Sequence, residues 1–279
     1  MLTHPLIAFD IETVPDPDFG RRVMGFKGDN AAVIEAMTSR RLEETEGKSQ
    51  YPAPPLHRIV TIAVARLEPD TGRFEVGTLG GEVWDEASQL EGFAGLFEAT
   101  SRPPRLVSWN GNGFDLPVIR YRAMLHGVPL PALYRTDGDW KWNNYQSRYH
   151  DMHVDLMDVL AGYGASRWVG LGQMCELLGV PSKEFIEGEV YECILRGEQE
   201  LVREYCKLDV VSTMLVFLSW LVQRGDLQAT RVRHLVEGIR ETLARESFEG
   251  WEEIAEGLRG WPTYPPPDGS EPATAEDLP

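Results

Sequence analysis

The sequence predicts an α/β protein with a mixed five-stranded sheet flanked by helices. Short runs rich in β-branched residues dominate the first part of the chain, and helical patterns alternate with strands later. This order is typical of a mixed sheet that carries helices on its faces. Hydrophobic residues make up 42% of the 279-residue chain and aromatic residues 10%, which is enough to fill one large core. We therefore expect a globular α/β fold.

Five segments have strand character. Residues 6–10 form a short apolar run that ends in a carboxylate, and residues 59–67 form a longer β-branched run. A Pro-Asp-Thr-Gly turn precedes a third predicted strand at 73–79. Residues 105–109 predict a fourth strand, and a short fifth strand leads into Asp155.

Helical patterns separate and follow these strands. Helices are predicted at residues 85–99, 114–126 and 198–222, the last being the clearest. We assign residues 1–222 to one catalytic domain, with a helical insertion at about 16–55 whose helix spans 31–46. Residues 223–260 are predicted to be a C-terminal helical extension, and the acidic, proline-rich residues 261–279 a disordered tail.

The net charge and the cysteine spacing restrict the classes of function that the sequence allows. The formal net charge of −17 argues against a broad polyanion-binding surface. The three cysteines match no zinc-ligand spacing and are predicted to be reduced core thiols. No secretion signal or membrane-spanning run is recognisable, so we expect a cytoplasmic protein with no membrane partner.

A carboxylate pair ends the first strand. Asp10 and Glu12 lie two residues apart, so the period of a strand places both side chains on the same face. Such a pair can bind a metal ion. The alternative is that one of the two acids caps the turn toward Pro15.

A glycine-rich turn follows the fourth strand and leads to a further acid. The segment Asn110-Gly111-Asn112-Gly113-Phe114-Asp115 joins the strand to the start of a helix, and its glycines allow the backbone to approach a ligand closely. Asp115 is thus a candidate metal ligand. It is equally well explained as a helix N-cap or a first-turn acid.

The long late helix carries the third cluster. Tyr205 and Asp209 are four residues apart and therefore lie on one helix face. A phenol there can orient an attacking water while the acid binds metal. Four acids that converge from three elements would suit two-metal phosphodiester hydrolysis, which needs carboxylates around two cations.

Taken together, D-x-E, N-x-x-x-F-D and Y-x-x-x-D resemble the pattern of the DEDD exonuclease superfamily in its tyrosine-bearing subgroup. The chain is most similar to predicted stand-alone exonucleases related to the proofreading domain of family B DNA polymerases. The segments at 177–183, 187–188 and 203–206 also resemble theirs, and the likeness extends over about residues 5–221. It implies a ribonuclease H-like fold, 3'-5' exonuclease activity on single-stranded DNA or DNA 3' ends, and a role in DNA repair.

The resemblance also implies roles for individual residues. Asp10, Glu12, Asp115 and Asp209 would bind two divalent cations, Mg²⁺ or Mn²⁺, while Tyr205 would position the nucleophilic water. Ile11 and Thr13 would flank the terminal nucleotide, and Asn110 and Phe114 would lie near the substrate strand. Lys183, which follows a Gly-Val-Pro-Ser turn, is a candidate phosphate contact.

Other polar and aromatic residues are also candidates for contacts with metal or nucleic acid. Asp151, Asp155 and Asp158 form an acidic group with two nearby histidines, but Asp155 can cap the next helix and we interpret the group as structural support. The aromatic and basic loop at 136–150 is either a single-strand-binding loop or a surface loop packing its own aromatics. Arg120 and Arg122 either contact phosphates or lie on a solvated helix face.

Three alternatives remain open at the level of sequence. An RNA-trimming exonuclease would use the same acids, because the 2'-hydroxyl is distinguished by pocket contacts. A ribonuclease H-type endonuclease is disfavoured by Tyr205. A catalytically silent nucleic-acid-binding module would be expected to lack an acid, and none is missing. No protein partner is predicted.

Overall fold

The structure is a computed structural model that describes residues 4–80, 85–99, 102–182 and 190–263. Lys183 and the predicted tail from residue 264 onward lie outside the described residues.

The described strands form one mixed sheet in the order β3-β2-β1-β4-β5. β1 pairs antiparallel with β2 and parallel with β4, β4 pairs parallel with β5, and β2 pairs antiparallel with β3. This confirms the predicted mixed five-stranded sheet. The strands are β1 Leu6–Pro15, β2 His57–Leu67, β3 Phe74–Thr78, β4 Arg105–Ser108 and β5 His153–Asp155.

The first strand is longer than predicted. It continues past Asp10 to Pro15, because β2 offers backbone partners along its whole length, with Glu12 opposite Thr61 and Pro15 opposite His57. The pairing shifts register between Glu12 and Thr13. Irregularities of this kind re-aim side chains near functional sites.

The insertion after β1 forms a helical hairpin of α1, Pro17–Met24, and α2, Asn30–Glu44. The predicted insertion helix is confirmed in α2, whereas α1 was not predicted. The two helices touch at Gly20, where a methyl group would lie 2.6 Å from Val33 Cγ1 and 2.8 Å from Met37 Sδ. Glycine therefore permits the close packing of the hairpin.

The remaining described helices pack around the sheet, and the last two of them come from the C-terminal part of the chain. They are α3 Glu86–Gly95, α4 Asp115–His126, α5 Pro131–Tyr134, α6 Leu156–Leu160, α7 Leu171–Leu178, α8 Val190–Leu195, α9 Gln199–Gln223, α10 Ala229–Leu243 and α11 Trp251–Gly257.

The sheet separates two hydrophobic cores. Alternation along β1 sends Ile7 and Phe9 to the side of α3 and α4, and Leu6 and Ala8 to the side of α9, α10 and α11. Among the described residues, α9 is the helix whose length and hydropathy would allow it to cross a membrane, but 78% of its most apolar stretch is buried. It is the central helix of this second core.

The C-terminal helices share that core. Trp251 on α11 is fully buried and its indole N–H donates to Glu204 on α9. Lys207 on α9 pairs with Glu204 at 3.1 Å and with Glu246, which lies between α10 and α11. The contacts of Glu246 and Trp251 therefore attach the segment 223–260 to α9, the helix that carries Tyr205. The status of this segment as a separate extension stays a prediction.

Candidate active site

The carboxyl ends of the parallel strands β1, β4 and β5 meet at one edge of the sheet, and this edge collects the predicted acids. Asp10 and Glu12 lie on β1, Asp115 begins α4 just after β4, and Asp209 lies on α9, which packs across β1. Tyr205 lies on the same helix. The structure therefore brings the four acids and Tyr205 together.

Asp10 and Glu12 lie on the face of β1 that meets α9. Candidate ligand atoms of Asp10, Glu12 and Cys206 all lie within 4.8 Å of one another. The Cys206 thiol donates to Asp10 Oδ2 at 3.5 Å. Burial and the surrounding acids raise the pKa of Cys206 well above its usual value, so it stays a neutral thiol. Cys206 thus supports Asp10 as a hydrogen-bond donor.

Asp115 approaches β1 from the start of α4. Its Oδ1 accepts the backbone N–H of Ile11 at 3.2 Å, which places it between the two strand acids. Asp115 is the first helical residue and its side chain is buried. Asp115 is not the N-cap of α4, because Phe114 occupies that position; it is an acid of the first turn, as the alternative predicted, and its carboxylate also contacts β1.

The turn between β4 and α4 is held by Asp155. Its carboxylate accepts the backbone N–H groups of Asn110 at 2.9 Å and Asn112 at 2.8 Å. Asn110 adopts a left-handed φ of 65°, and a methyl group on Gly111 would lie 2.3 Å from Ser108 Oγ. Asp155 also caps α6 through the N–H of Asp158, so its predicted supporting role is confirmed.

Burial destabilises the charged forms of all four acids, and neighbouring acids add to this for Asp10 and Glu12. Burial raises the pKa of Asp10 well above its usual value, and the charges of Asp115, Glu12 and Asp209 raise it further. Burial and the charges of Asp209 and Asp115 do the same to Glu12. Burial also raises the pKa of Asp115 and of Asp209 to about 7. A site of this kind favours a bound cation, which would offset the repulsion.

The donor set fits Mg²⁺ or Mn²⁺. Carboxylate oxygens are hard ligands that suit these ions, and mutual repulsion supplies the affinity for positive charge. Cys206 is the one soft ligand near the acids in the described part of the chain, and its raised pKa keeps it protonated. Asp10, Glu12, Asp115 and Asp209 are therefore the residues that would hold such ions.

Tyr205 interacts with the acid one turn along α9. The charge of Asp209 is the largest cause that raises the pKa of Tyr205, and burial raises it further. The hydroxyl therefore keeps its proton across the physiological range. A neutral phenol beside the acids can donate a hydrogen bond to a water or a phosphate oxygen.

A pocket of about 460 Å³ opens beside Glu12 and Tyr205. The predicted substrate residues Ile11, Thr13, Asn110 and Phe114 all line it. The far wall comes from the insertion and the segment that follows α2, through Thr38, Gln50, Tyr51 and Pro52.

His57 connects the insertion to the strand wall of this pocket. Its Nε2 lies 3.0 Å from the carbonyl oxygen of Pro52, which can only accept, so Nε2 carries the proton. Its Nδ1 then accepts the hydroxyl of Thr13 at 2.9 Å. Burial lowers the pKa of His57, which keeps the ring neutral in this arrangement. Phe114 meets the ring edge-on, with centroids 5.0 Å apart.

Arg122 was predicted to contact phosphates or to lie on a solvated face, and both predictions are wrong. The side chain is buried and binds Asp16 at 2.6 Å through Nη1 and Glu86 at 2.8 Å through Nε. Glu86 also accepts the backbone N–H of Ile59 at 2.7 Å. Arg122 thus joins α4 to α3 and to the cap of α1, a role set by tertiary packing.

Sequence reasoning also missed Cys206 and His57. Cys206 had a usable signal, because it lies three residues before Asp209 and so shares its helix face. His57 had none, since its partners Thr13 and Pro52 become neighbours only when β1 and β2 pair.

An α/β sheet whose edge gathers four acids and a tyrosine beside a nucleotide-sized pocket is that of a ribonuclease H-like nuclease. A family model described as a predicted 3'-5' exonuclease related to the exonuclease domain of PolB matches residues 49–258. The chain belongs to this family. The match contains Asp115, Tyr205 and Asp209 and extends into the C-terminal helices, while Asp10 and Glu12 precede it. None of the curated proteins matches the chain.

Proposed function

We propose that the protein hydrolyses single-stranded DNA from its 3' end with two divalent cations, releasing nucleoside monophosphates. The observation that carries this proposal is the convergence of Asp10, Glu12, Asp115 and Asp209, whose pKa values are all raised, beside a pocket large enough for one nucleotide. The position of Tyr205 four residues before Asp209 supports the proposal that the chain belongs to the tyrosine-bearing DEDD subgroup.

The side chains divide the work of hydrolysis. When bound, the cations lower the pKa of water and offset charge on the attacking and leaving oxygens. Asp10, Glu12, Asp115 and Asp209 hold them at the sheet edge. Tyr205, which the charge of Asp209 keeps protonated, orients the attacking water toward the phosphorus. No side chain forms a covalent intermediate.

The pocket binds the terminal nucleotide and positions it beside the acids. Phe114 offers an aromatic surface for its base, and stacking accepts any base because every base has a π-face. Thr13 and Asn110 place polar atoms near the sugar and phosphate, and Thr13 is oriented by His57. Lys183 is proposed to contact phosphate.

The proposal is tested with single-stranded DNA labelled at its 5' end, and with RNA of matched sequence. The protein with Mg²⁺ or Mn²⁺ should give a ladder that shortens from the 3' end. Chelator or the change Asp10→Asn should abolish it. Tyr205→Phe should lower kcat on the order of 100-fold or more with little change in KM, because binding of the strand does not need the hydroxyl.

Asp70→Asn is the matched control, since Asp70 is an exposed acid in the turn between β2 and β3. It should retain full activity. Cleavage of RNA in preference to DNA would reassign the substrate, and a lack of cleavage of both would favour a silent binding module. A ladder that persists with Asp10→Asn would refute the assigned site.

A further inference from the structure

A cluster of exposed aromatic rings with an arginine lies beyond the pocket, and we call it the aromatic patch. It consists of Arg148, Tyr149, Tyr163 and Trp168. Tyr149 is 69% exposed, Trp168 60% and Tyr163 38%. Soluble proteins seldom group large rings at the surface unless the surface binds something.

The rings are held in a defined arrangement. Tyr149 and Tyr163 meet edge-on, with ring centroids 4.8 Å apart. The Arg148 guanidinium lies 6.0 Å from the Tyr149 ring and 5.4 Å from the Tyr163 ring. Buried Asp158 fixes this guanidinium by an ion pair of 2.8 Å. The patch is therefore organised before any ligand arrives.

The backbone beneath Tyr163 is strained. Gly162, Tyr163 and Gly164 adopt φ angles of 59°, 57° and 92°, all in the left-handed region. A bulky aromatic residue rarely adopts this conformation, and an exposed ring gains no core packing in return. Trp168 lies against the same turn, since a methyl group on Gly164 would be 3.9 Å from its Cζ2. The strained turn holds the Tyr163 ring at the protein surface, which indicates that this surface binds a ligand.

The patch is continuous with the candidate active site. Asp158, which holds Arg148, also accepts the side-chain amide of Asn112 at 3.4 Å. Asn112 belongs to the turn whose Asn110 lines the pocket. Asp158 lies in the first turn of α6, which starts at the carboxyl end of β5, and the acids lie at this same edge of the sheet. A strand that leaves the pocket past Asn110 would meet the aromatic patch.

We propose that the aromatic patch binds the nucleotides that precede the 3' end of a single strand, by stacking unpaired bases on Tyr149, Tyr163 and Trp168. This proposal rests on the proposed function. Stacking needs unpaired bases, so the occupant is single-stranded nucleic acid and not a duplex. The net charge of −17 favours affinity from stacking over broad phosphate neutralisation. Arg148, whose charge is paired with Asp158, holds the two tyrosine rings in place for stacking.

Two measurements separate this proposal from the proposed function. Fluorescence anisotropy with labelled oligodeoxynucleotides in chelator reports binding without catalysis. Cleavage of a trinucleotide compared with a longer single strand reports how far activity depends on upstream nucleotides. The variant is Tyr149→Ala with Trp168→Ala, both exposed and outside the acid cluster. The matched control is Tyr134→Ala, because Tyr134 is also exposed and also lies beneath an arginine, Arg120, at 5.8 Å.

The wild-type protein should bind the longer strand more tightly than the trinucleotide, with weak salt dependence. The double variant should lose affinity for the longer strand on the order of tenfold for each stacked base. Its cleavage of the trinucleotide and its Tm should match wild type, as should all properties of the control. If the double variant and wild type bound the longer strand with equal affinity, the proposed role of the aromatic patch would be refuted, whether or not the protein cleaves DNA. Equal binding of blunt duplex would also overturn it.

Discussion

Without divalent cations, the stability of the protein should fall as the pH rises from about 4 to about 7. Asp115 and Asp209 have pKa values of about 7 in the folded protein against 3.8 ordinarily. In this window the folded protein therefore holds protons that the unfolded chain has released, so the stability that these two carboxyls contribute is fully present below about pH 4 and is lost as the pH rises through about 7. The difference is on the order of 4 kcal/mol for each carboxyl.

The loss should be visible in thermal unfolding. Between about pH 5 and about pH 8 the two carboxyls together lose on the order of 5 kcal/mol, which for a chain of this size lowers Tm by roughly 10 °C. Circular dichroism at about pH 5 and about pH 8 in chelator measures it. Mg²⁺ binds the deprotonated acids, so it should raise Tm more at the higher pH.

The double variant Asp115→Asn, Asp209→Asn provides the decisive comparison. Asparagine keeps an oxygen that can accept the N–H of Ile11 but does not titrate. The variant should be more stable than wild type at high pH in chelator and should gain little from Mg²⁺. Asp70→Asn should behave as wild type. If metal-free wild type showed no pH dependence beyond that of the double variant, the raised pKa values of Asp115 and Asp209 would be refuted.

Two further changes test other contacts. Arg122→Met should destabilise the fold by about 3–5 kcal/mol, because it leaves Asp16 and Glu86 charged and buried without their partner. Urea unfolding measures this loss of stability. A loss below about 1 kcal/mol would contradict the prediction. Tyr51→Ala should raise KM for single-stranded DNA several-fold with a smaller change in kcat, because Tyr51 lines the pocket away from the acids. An unchanged KM would show that the insertion does not contact substrate.

The acid cluster was predictable because local periodicity fixes most of its geometry. A strand brings Asp10 and Glu12 to one face, and a helix aligns Tyr205 with Asp209, so only the meeting of the elements had to be inferred. The contact between Asp115 and Ile11 spans 104 positions in sequence, and no local pattern specifies it. The resemblance, not the spacing, indicated that contact.

The insertion shows where local signals were present but not used. Asp16 followed by Pro17 is a helix start signal, since an aspartate caps the helix and proline suits its first turn. The sequence interpretation treated the segment as leading to a single helix and missed α1. By contrast, the burial of Arg122 had no local signal, because its partners lie 36 and 106 positions away.

The acidity of the chain and its proposed substrate are compatible for a physical reason. Burial raises the pKa of four acids at the site, and neighbouring acids raise it further for Asp10 and Glu12, so without cations that edge repels a phosphate backbone and partly takes up protons. With cations the same edge attracts phosphate, while the aromatic patch adds affinity that does not depend on charge. Binding of the strand end and its cleavage then require the same ions. The 3' end is therefore held at the acids only when the ions that cleave it are present, while the aromatic patch holds the preceding nucleotides without them.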